Sequence, residues 1–321
     1  MPYRPGNQLR MDPGNRMDVL ICTAKHQDEW RAALSACLPE ARVHAWPDAP
    51  ACDYAVVWQP PADLFERQRR LKALFSLGAG VNGLLAMPSL PRDVPLVRME
   101  DGGMAAQMIE YALYVALREL RRFPDCERDQ SQARWSPQPA RSRGELVIGV
   151  LGLGVLGGAV AQALAEFGFA VSGWSRSGKS VPGVHGEHGV QGLDAVLAGS
   201  NVLMLFLPLT GATEGLLDRA RLAQLPKGAA LVNLSRGQLL DEDALLEALD
   251  SGHVGAAYLD VFRQEPLPSD HPFWRHPRVR ITPHVAALTD TRLACVQVAD
   301  KIRRLEAAEP VSGVVDRLRG Y

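Results

Sequence analysis

The stretch Leu146-Val147-Ile148-Gly149-Val150-Leu151-Gly152-Leu153-Gly154-Val155-Leu156-Gly157 decides how the rest of the chain is read. A short run of apolar and small residues, Leu146–Leu151, has the character of a buried strand. Three glycines at G-x-G-x-x-G spacing follow, then a helix-forming segment, Val155–Phe167, and a second apolar run, Ala170–Trp174. The glycine spacing alone is a weak signal; between a strand and a helix of a β-α-β unit it reads as a dinucleotide-binding loop. Gly152 permits the tight turn, Gly154 lets the backbone approach a pyrophosphate, and Gly157 lets helix and strand pack closely. The first turn of the helix then offers free N–H groups and a positive dipole end to phosphate. The alternative is a glycine-rich turn with no ligand, against which the flanking elements weigh.

The next turn refines the ligand. After Ala170–Trp174 the chain reads Ser175-Arg176-Ser177-Gly178-Lys179-Ser180, with no carboxylate. NAD-binding loops place Asp or Glu here to hold the ribose 2′-hydroxyl. Arg176 and Lys179 instead attract a 2′-phosphate, and Ser175 and Ser177 can donate to it, so the turn predicts NADPH in preference to NADH. A solvated basic turn that accepts either cofactor is the alternative.

Outward from this unit the pattern repeats. Further strand candidates are Val202–Leu207, Ala229–Leu234, Ala256–Leu259 and Val279–Thr282, with Asp241 a good N-cap for the helix Asp243–Leu249 and Gly252 its stop. Upstream, Val19–Cys22, Tyr54–Trp58 and Ala73–Leu77 are short apolar runs, Gln27–Cys37 and Pro61–Arg70 are helix-like, and Gly78-Ala79-Gly80 follows the third run. Between the two series, Met104–Phe123 has apolar residues at helical spacing and is stopped by Pro124, and Asp125–Arg143 reads as an exposed connection. A last helix-like segment covers Leu288–Ala307. The pattern predicts an α/β chain with two Rossmann-like domains built on parallel sheets.

Composition sets the outer limits. At 321 residues the chain is long enough for two domains, and a net charge of −1 gives no reason to expect nucleic acid or an anionic membrane as partner. Its five cysteines, Cys22, Cys37, Cys52, Cys126 and Cys295, are odd in number and widely spaced, which argues against a disulfide framework or zinc site and suits a reducing compartment, with cytoplasm the default. No apolar run reaches the roughly 18–20 residues of a membrane helix. Residues 1–16 are polar, rich in Pro and Gly, without a signal-peptide core, and read as a disordered extension.

Three polar residues stand out just past strand ends, where open α/β sheets place their ligand crevice. Arg236 lies in Asn233-Leu234-Ser235-Arg236-Gly237, Glu265 in Asp260-Val261-Phe262-Arg263-Gln264-Glu265-Pro266-Leu267-Pro268, and His284 in Thr282-Pro283-His284-Val285-Ala286. A guanidinium can hold a substrate carboxylate by two parallel bonds, and a protonated imidazole can give a proton to a carbonyl oxygen as hydride reaches the carbon. A carboxylate on the far imidazole nitrogen fixes the tautomer and favours the charged acid. Singly, each has a bland reading: a surface ion-pair partner, a loop carboxylate, a strand-end histidine. His185 and His188 fall in a Gly-rich loop, His271 and His276 flank a turn near Trp274, and none makes a metal-ligand pattern; Asp241-Glu242-Asp243 reads as helix N-terminal charge.

Taken together, Gly152–Gly157, Asn233–Gly237, Asp260–Phe262 with Glu265–Pro268, and Thr282–Ala286 resemble the D-isomer-specific 2-hydroxyacid dehydrogenase family. Within it the chain is most similar to the glyoxylate/hydroxypyruvate reductase A group at Trp58-Gln59-Pro60-Pro61, Phe75–Val81, Glu100-Asp101 with Gly103-Met104, Trp174-Ser175-Arg176 and Val315–Tyr321, over about Met17–Tyr321. The resemblance implies a flavodoxin-like substrate-binding domain of residues 17–103 plus 289–321, with an NADP-binding Rossmann domain, 104–288, inserted in it. It implies Arg236 as carboxylate anchor, His284 as acid/base, Glu265 as its partner, and backbone amides near Ala79, Gly80 and Val81 as further substrate contacts. The cofactor candidates are Gly152, Gly154, Val155, Leu156 and Gly157; Ser175, Arg176, Ser177 and Lys179; Leu207, Pro208 and Thr213; Leu234 and Ser235; Asp260; and His284 and Ala286. The implied reaction reduces glyoxylate or hydroxypyruvate to glycolate or D-glycerate with NADPH. A homodimer involving the long helix is also implied. Another 2-hydroxyacid substrate, or a dinucleotide-sensing corepressor role, are the alternatives. Asn82 and Gly83 depart from the group's usual acidic residue and serine, and Gly102-Gly103 suggests a looser turn after Asp101. Trp46, Trp58 and Met104 are possible pocket walls, though such residues are core by default.

Overall fold

The computed structural model describes residues 16–321, so all but one residue of the expected N-terminal extension lies outside the described residues. The chain divides into two compact units, one running to Gly103 and resuming at Thr289–Tyr321, the other Met104–Leu288.

The first unit begins with β1 (Asp18–Thr23), α1 (Gln27–Cys37), β2 (Arg42–Ala45), β3 (Tyr54–Trp58), the single turn α2 (Leu64–Arg67), β4 (Ala73–Ser76), the single turn α3 (Asn82–Leu85) and β5 (Leu96–Arg98). Its sheet has the order β2-β1-β3-β4-β5, every neighbour parallel, which is the flavodoxin-like order. Of the expected 61–70 helix only Leu64–Arg67 forms. The strands at Arg42–Ala45 and Leu96–Arg98 were not anticipated from sequence: both are short edge strands, without the apolar run that marks a central one.

The second unit comprises α4 (Met104–Leu120), α5 (Phe123–Ser131), β6 (Val147–Leu151), α6 (Val155–Glu166), β7 (Ala170–Trp174), β8 (His185–Glu187), α7 (Gly189–Gly199), β9 (Val202–Leu205), α8 (Arg219–Leu222), β10 (Ala229–Asn233), α9 (Glu242–Asp250), β11 (Val254–Leu259) and β12 (Val279–Ile281). Its parallel sheet runs β12-β11-β10-β9-β6-β7-β8, a doubly wound order that reverses between β6 and β9. Alternate strand residues face opposite layers. Leu203, Leu205, Leu231 and Leu259 join the core under α7–α9, whereas Val202, Met204, Val232 and Tyr258 join the core with Val115, Ala116, Val160 and Leu164 of α4 and α6. Asp241 caps α9 by accepting from the Ala244 N–H at 3.0 Å.

Three expectations for this unit need correction. The long helix ends at Leu120, not Phe123, because Arg122 takes a left-handed conformation (φ 55°). Pro124 sits in the first turn of the next helix, where its missing N–H has no helical partner to lose, and so it does not stop the first. The first part of the supposed connection, through Ser131, is therefore α5, a polar helix without an apolar stripe. It is fastened by ion pairs: Asp125 with Arg122 and Arg128, Asp129 with Arg134, and Glu127 with Arg118. His185 lies in edge strand β8 and His188 is the N-cap position of α7, not members of a loop.

The chain returns to the first unit with α10 (Thr291–Glu306). Asp290 caps it by accepting from Leu293 N–H, and Ala294, Cys295, Val298, Ala299 and Ile302 form its buried stripe against α1. Lys301, also buried, is neutralised by Glu100 at 2.9 Å. Residues 313–315 then run antiparallel beside β5, with Arg98 N–H donating to Gly313 O and Val315 N–H to Leu96 O. The Gly102-Gly103 turn is tight, not loose. Both residues have positive φ, a Cβ on Gly103 would lie 2.9 Å from Asp290 Cβ, and Gly102 O accepts from Asp290 N–H. Among the described residues no helix is long and apolar enough to cross a membrane.

Candidate active site

The glycine loop gets its shape from missing side chains. Gly152 has φ +104°, and a Cβ there would stand 2.7 Å from the Phe206 carbonyl oxygen. A Cβ on Gly157 would stand 2.0 Å from the Gly152 oxygen, so α6 can lie this close to β6 only with glycine at that position. Gly154 differs: its φ is −70° and nothing lies within 4 Å of its Cβ position. No neighbour within the protein explains the missing side chain. What it leaves is open space before the first turn of α6, which no side chain caps. Val155 is exposed, Leu156 half-buried, and the loop sits at the strand-order reversal. That cradle fits a pyrophosphate.

The turn after β7 is built on Ser175, whose buried Oγ accepts from Lys179 N–H at 2.7 Å and whose carbonyl accepts from Gly178 N–H. Arg176, Ser177 and Lys179 are exposed. The nearby carboxylate, Glu187 on β8, is occupied by His185 at 3.0 Å. The donor set fits a phosphate monoester better than a ribose hydroxyl. Beyond β9, Leu207 is buried, and Thr213 folds its loop back by donating to Pro208 O at 2.6 Å and accepting from Thr210 N–H.

Arg236 is presented by a turn organised on fully buried Asn233. Asn233 Oδ1 accepts from the Ser235 N–H and hydroxyl, and its Nδ2 donates to Arg236 O. Leu234 is buried between them. Gly237 lets the turn press on the next loop, since a Cβ there would lie 1.9 Å from the Phe262 carbonyl carbon. Burial pulls the Arg236 guanidinium below its ordinary pKa while the Glu265 charge opposes this. Glu265 uses one oxygen to accept from Phe262 N–H at 3.0 Å and the other to meet His284 Nδ1 at 2.7 Å. Because an ionised carboxylate only accepts, Nδ1 carries the proton and Nε2 is the nitrogen left for chemistry.

His284 takes φ 55°, a left-handed conformation uncommon for residues other than glycine. Asp260 holds it there. Its backbone oxygen accepts from His284 N–H at 2.8 Å, and its carboxylate accepts from Val285 N–H, Ala286 N–H and the Thr282 hydroxyl. Asp260, a cofactor candidate from the sequence, is 2% exposed, with its carboxylate engaged by these three donors. Thr282 and its neighbour Tyr111 were not singled out from sequence; their contact joins residues 171 apart and leaves no periodic trace.

The remaining candidates, Ala79, Gly80 and Val81, belong to the other unit. The loop is shaped by the Ser76 hydroxyl, which donates to Gly78 O at 3.1 Å and accepts from Gly78 N–H, and Val81 opens α3. The half-exposed Trp58 ring lies over Gly78, where a Cβ would fall 2.1 Å from it. Trp46 stacks under the Arg67 guanidinium, and Met104 is core. Among the described residues no His, Cys, Asp and Glu cluster suits a metal ion.

The family model for the NAD-binding domain of D-isomer-specific 2-hydroxyacid dehydrogenases matches residues 113–286. A glyoxylate/hydroxypyruvate reductase A of Serratia proteamaculans (strain 568) is 50% identical over 302 residues, 92% of this chain and 96% of the relative. That of Salmonella newport (strain SL254) is 48% identical over 299 residues, covering 91% and 96%. Among solved structures, a D-isomer-specific 2-hydroxyacid dehydrogenase of Xanthobacter autotrophicus Py2, in complex with NADPH and MES, superposes with a TM-score of 0.91 at 42% identity, covering 96% of this chain and 100% of that one. An NADPH-dependent glyoxylate/hydroxypyruvate reductase of Sinorhizobium meliloti, in complex with NADP and sulfate, does so with a TM-score of 0.89 at 38% identity, covering 95% and 100%. With the family model matching residues 113–286 and relatives at 48–50% identity over nearly their whole length, this chain belongs to the D-isomer-specific 2-hydroxyacid dehydrogenase family of oxidoreductases, alongside the glyoxylate/hydroxypyruvate reductase A group.

Proposed function

We propose that the protein reduces glyoxylate and hydroxypyruvate to glycolate and D-glycerate with NADPH. The observation that carries this is the 2.7 Å contact of Glu265 with His284 Nδ1, in the same unit as Arg236, with all three just past the carboxyl ends of β10, β11 and β12. Gly152, Gly154 and Gly157 would hold the pyrophosphate, and Ser175, Arg176, Ser177 and Lys179 the 2′-phosphate. Leu207, Pro208, Thr213, Leu234, Ser235 and Ala286 line the strand ends between them. When bound, the nicotinamide supplies the hydride.

The chain's own residues do the rest. Arg236 anchors the substrate carboxylate, and its partial burial strengthens that pairing. Glu265 orients the imidazole through its contact with Nδ1. His284 Nε2 gives its proton to the carbonyl oxygen as negative charge develops there, and takes it back in the reverse direction. In the other unit, the backbone amides of Ala79, Gly80 and Val81 are the groups suited to a carboxylate.

Steady-state NADPH oxidation with glyoxylate, hydroxypyruvate and pyruvate tests the reading. His284→Gln should lower kcat by roughly 10²–10⁴-fold. Arg236→Ala should lower kcat/KM by about a hundredfold, from the loss of charge-assisted bonds. Wild-type rates in either variant remove that residue from the mechanism, and no turnover of any 2-oxoacid by the wild type removes the proposal.

The assembly is a homodimer through α4, supported by half-exposed Tyr114 on that helix and by the exposed Phe123 and Trp135 that follow it. Five unpaired cysteines support a cytoplasmic location.

A further inference from the structure

We propose that Tyr111 is a positioning residue for His284, acting from α4 through the hydroxyl of Thr282 and the carboxylate of Asp260. The inference rests on the reading of His284 as the acid/base. Tyr111 Oη lies 3.0 Å from Thr282 Oγ1, which lies 2.6 Å from Asp260 Oδ1. An ionised carboxylate can only accept, so the single Thr282 proton is directed to Asp260. The Thr282 oxygen must then accept from Tyr111, and the polarity of the whole chain is fixed. Burial raises the Tyr111 phenol above its ordinary pKa, which favours its protonated, donating form.

The same Asp260 oxygens accept from Val285 N–H at 2.9 Å and Ala286 N–H at 3.0 Å, and its carbonyl from His284 N–H at 2.8 Å. Residues 282–286 are thus tied to Asp260 at four points, and Tyr111 is the outer anchor. The need for such fastening is visible in His284 itself. Its left-handed backbone is a conformation that non-glycine residues keep only when the surroundings over-determine it. Without the Tyr111 proton, the Thr282 hydroxyl loses the donor that fixes its oxygen, and the tie from Thr282 to Asp260 slackens while those from Val285 and Ala286 stay. His284 then loses its single pose relative to the substrate, and a small misplacement of a general acid costs rate more than binding.

The test is Tyr111→Phe, which removes one oxygen from a half-buried ring. The expected result is a five- to tenfold loss in kcat with KM for glyoxylate, and Kd for NADPH measured by fluorescence titration, within twofold of wild type. Thr282→Val should reproduce it, Thr282→Ser should recover at least half of kcat, and Tyr111→Phe with Thr282→Val should be no slower than Thr282→Val alone. In a His284→Gln background, Tyr111→Phe should change the residual rate less than twofold, because the residue it positions is gone. If His284→Gln itself keeps wild-type activity, the acid/base reading fails. If His284→Gln is impaired but Tyr111→Phe is as fast as wild type, or lowers the rate equally in both backgrounds, or weakens NADPH binding as much as it lowers kcat, the positioning role is overturned. Should Tyr111→Phe not fold, Thr282→Val in the two backgrounds decides in the same way.

Discussion

The glycine loop at 152–157 and the histidine loop at 282–286 are two solutions to one problem: holding a backbone in a conformation it does not prefer. The first does it by omission. Gly152 and Gly157 have no side chains because carbonyl groups already fill the space, and no side-chain hydrogen bond caps the helix that follows. The second keeps a full-sized side chain at φ 55° and fastens it with a buried carboxylate. A loop shaped by omission can present only backbone, which suits an anion that needs N–H groups. A loop shaped by fastening can carry a titrating side chain, which suits proton transfer. The difference also decides how each fails: the first by steric clash, the second by loss of alignment.

That contrast can be broken at several points. The largest effect should come from Asp260→Ala, which removes three accepted bonds at once. We expect a loss of at least about a hundredfold in kcat, since correct placement of a general acid is worth roughly 10²–10⁴-fold. The far-ultraviolet circular dichroism should stay unchanged, and an unimpaired kcat would show that the histidine loop does not need its fastening. Gly157→Ala should come next, destabilising by on the order of 3 kcal/mol through overpacking against backbone. Thermal unfolding would show this as a lowered Tm together with weak NADPH binding. Gly154→Ala sharpens the point: with nothing near its Cβ, Tm should match wild type while Kd for NADPH rises about tenfold. A Tm as low as that of Gly157→Ala would remove Gly154 as the cofactor-facing glycine.

Arg176→Ala tests the basic turn. The ratio of kcat/KM for NADPH to that for NADH should fall by about tenfold, the worth of one charge-assisted bond. An unchanged ratio would leave 2′-phosphate recognition to other groups. The smallest effect concerns Asp18, a polar fastening that serves structure alone. Burial pushes its carboxyl up, but the hydrogen bonds from Arg42 and His44, with their charges, outweigh this and hold it below the usual value. A carboxyl depressed in the folded state adds stability above its unfolded pKa of about 3.9, lost as pH falls through the lower folded value. Tm measured from pH 6 to pH 3 should therefore fall less steeply for Asp18→Asn than for wild type, with kcat at neutral pH unaffected.

What sequence could reveal follows the same division. Omission is local: three glycines between a strand and a helix announce the cradle, and the turn from Ser175 to Lys179 lies one strand further on. Arg236, Glu265 and His284 were legible as chemical types beyond strand ends. The fastenings were not. Tyr111 sits in an ordinary amphipathic helix, and its contact with Thr282 appears only once α4 lies beside the loop that follows β12. Helix α5 escaped because ion pairs, not an apolar stripe, support it. The edge strands β2, β5 and β8 escaped because each is only three or four residues long and carries no extended apolar run.

The closing helix carries one more consequence, for the order in which the protein is made. The first sheet leaves the ribosome early, yet α10, whose Glu306 meets the buried Tyr54 hydroxyl and whose apolar stripe covers α1, is separated from it by the whole of residues 104–288. The second unit has all its strands before the first has its cover. Until Thr291–Val315 have been synthesised, α1 exposes Trp30 and Leu34, and β5 offers an open edge to any other strand. The half of the molecule begun first is completed last, and nascent chains halted before α10 are those most in need of a chaperone.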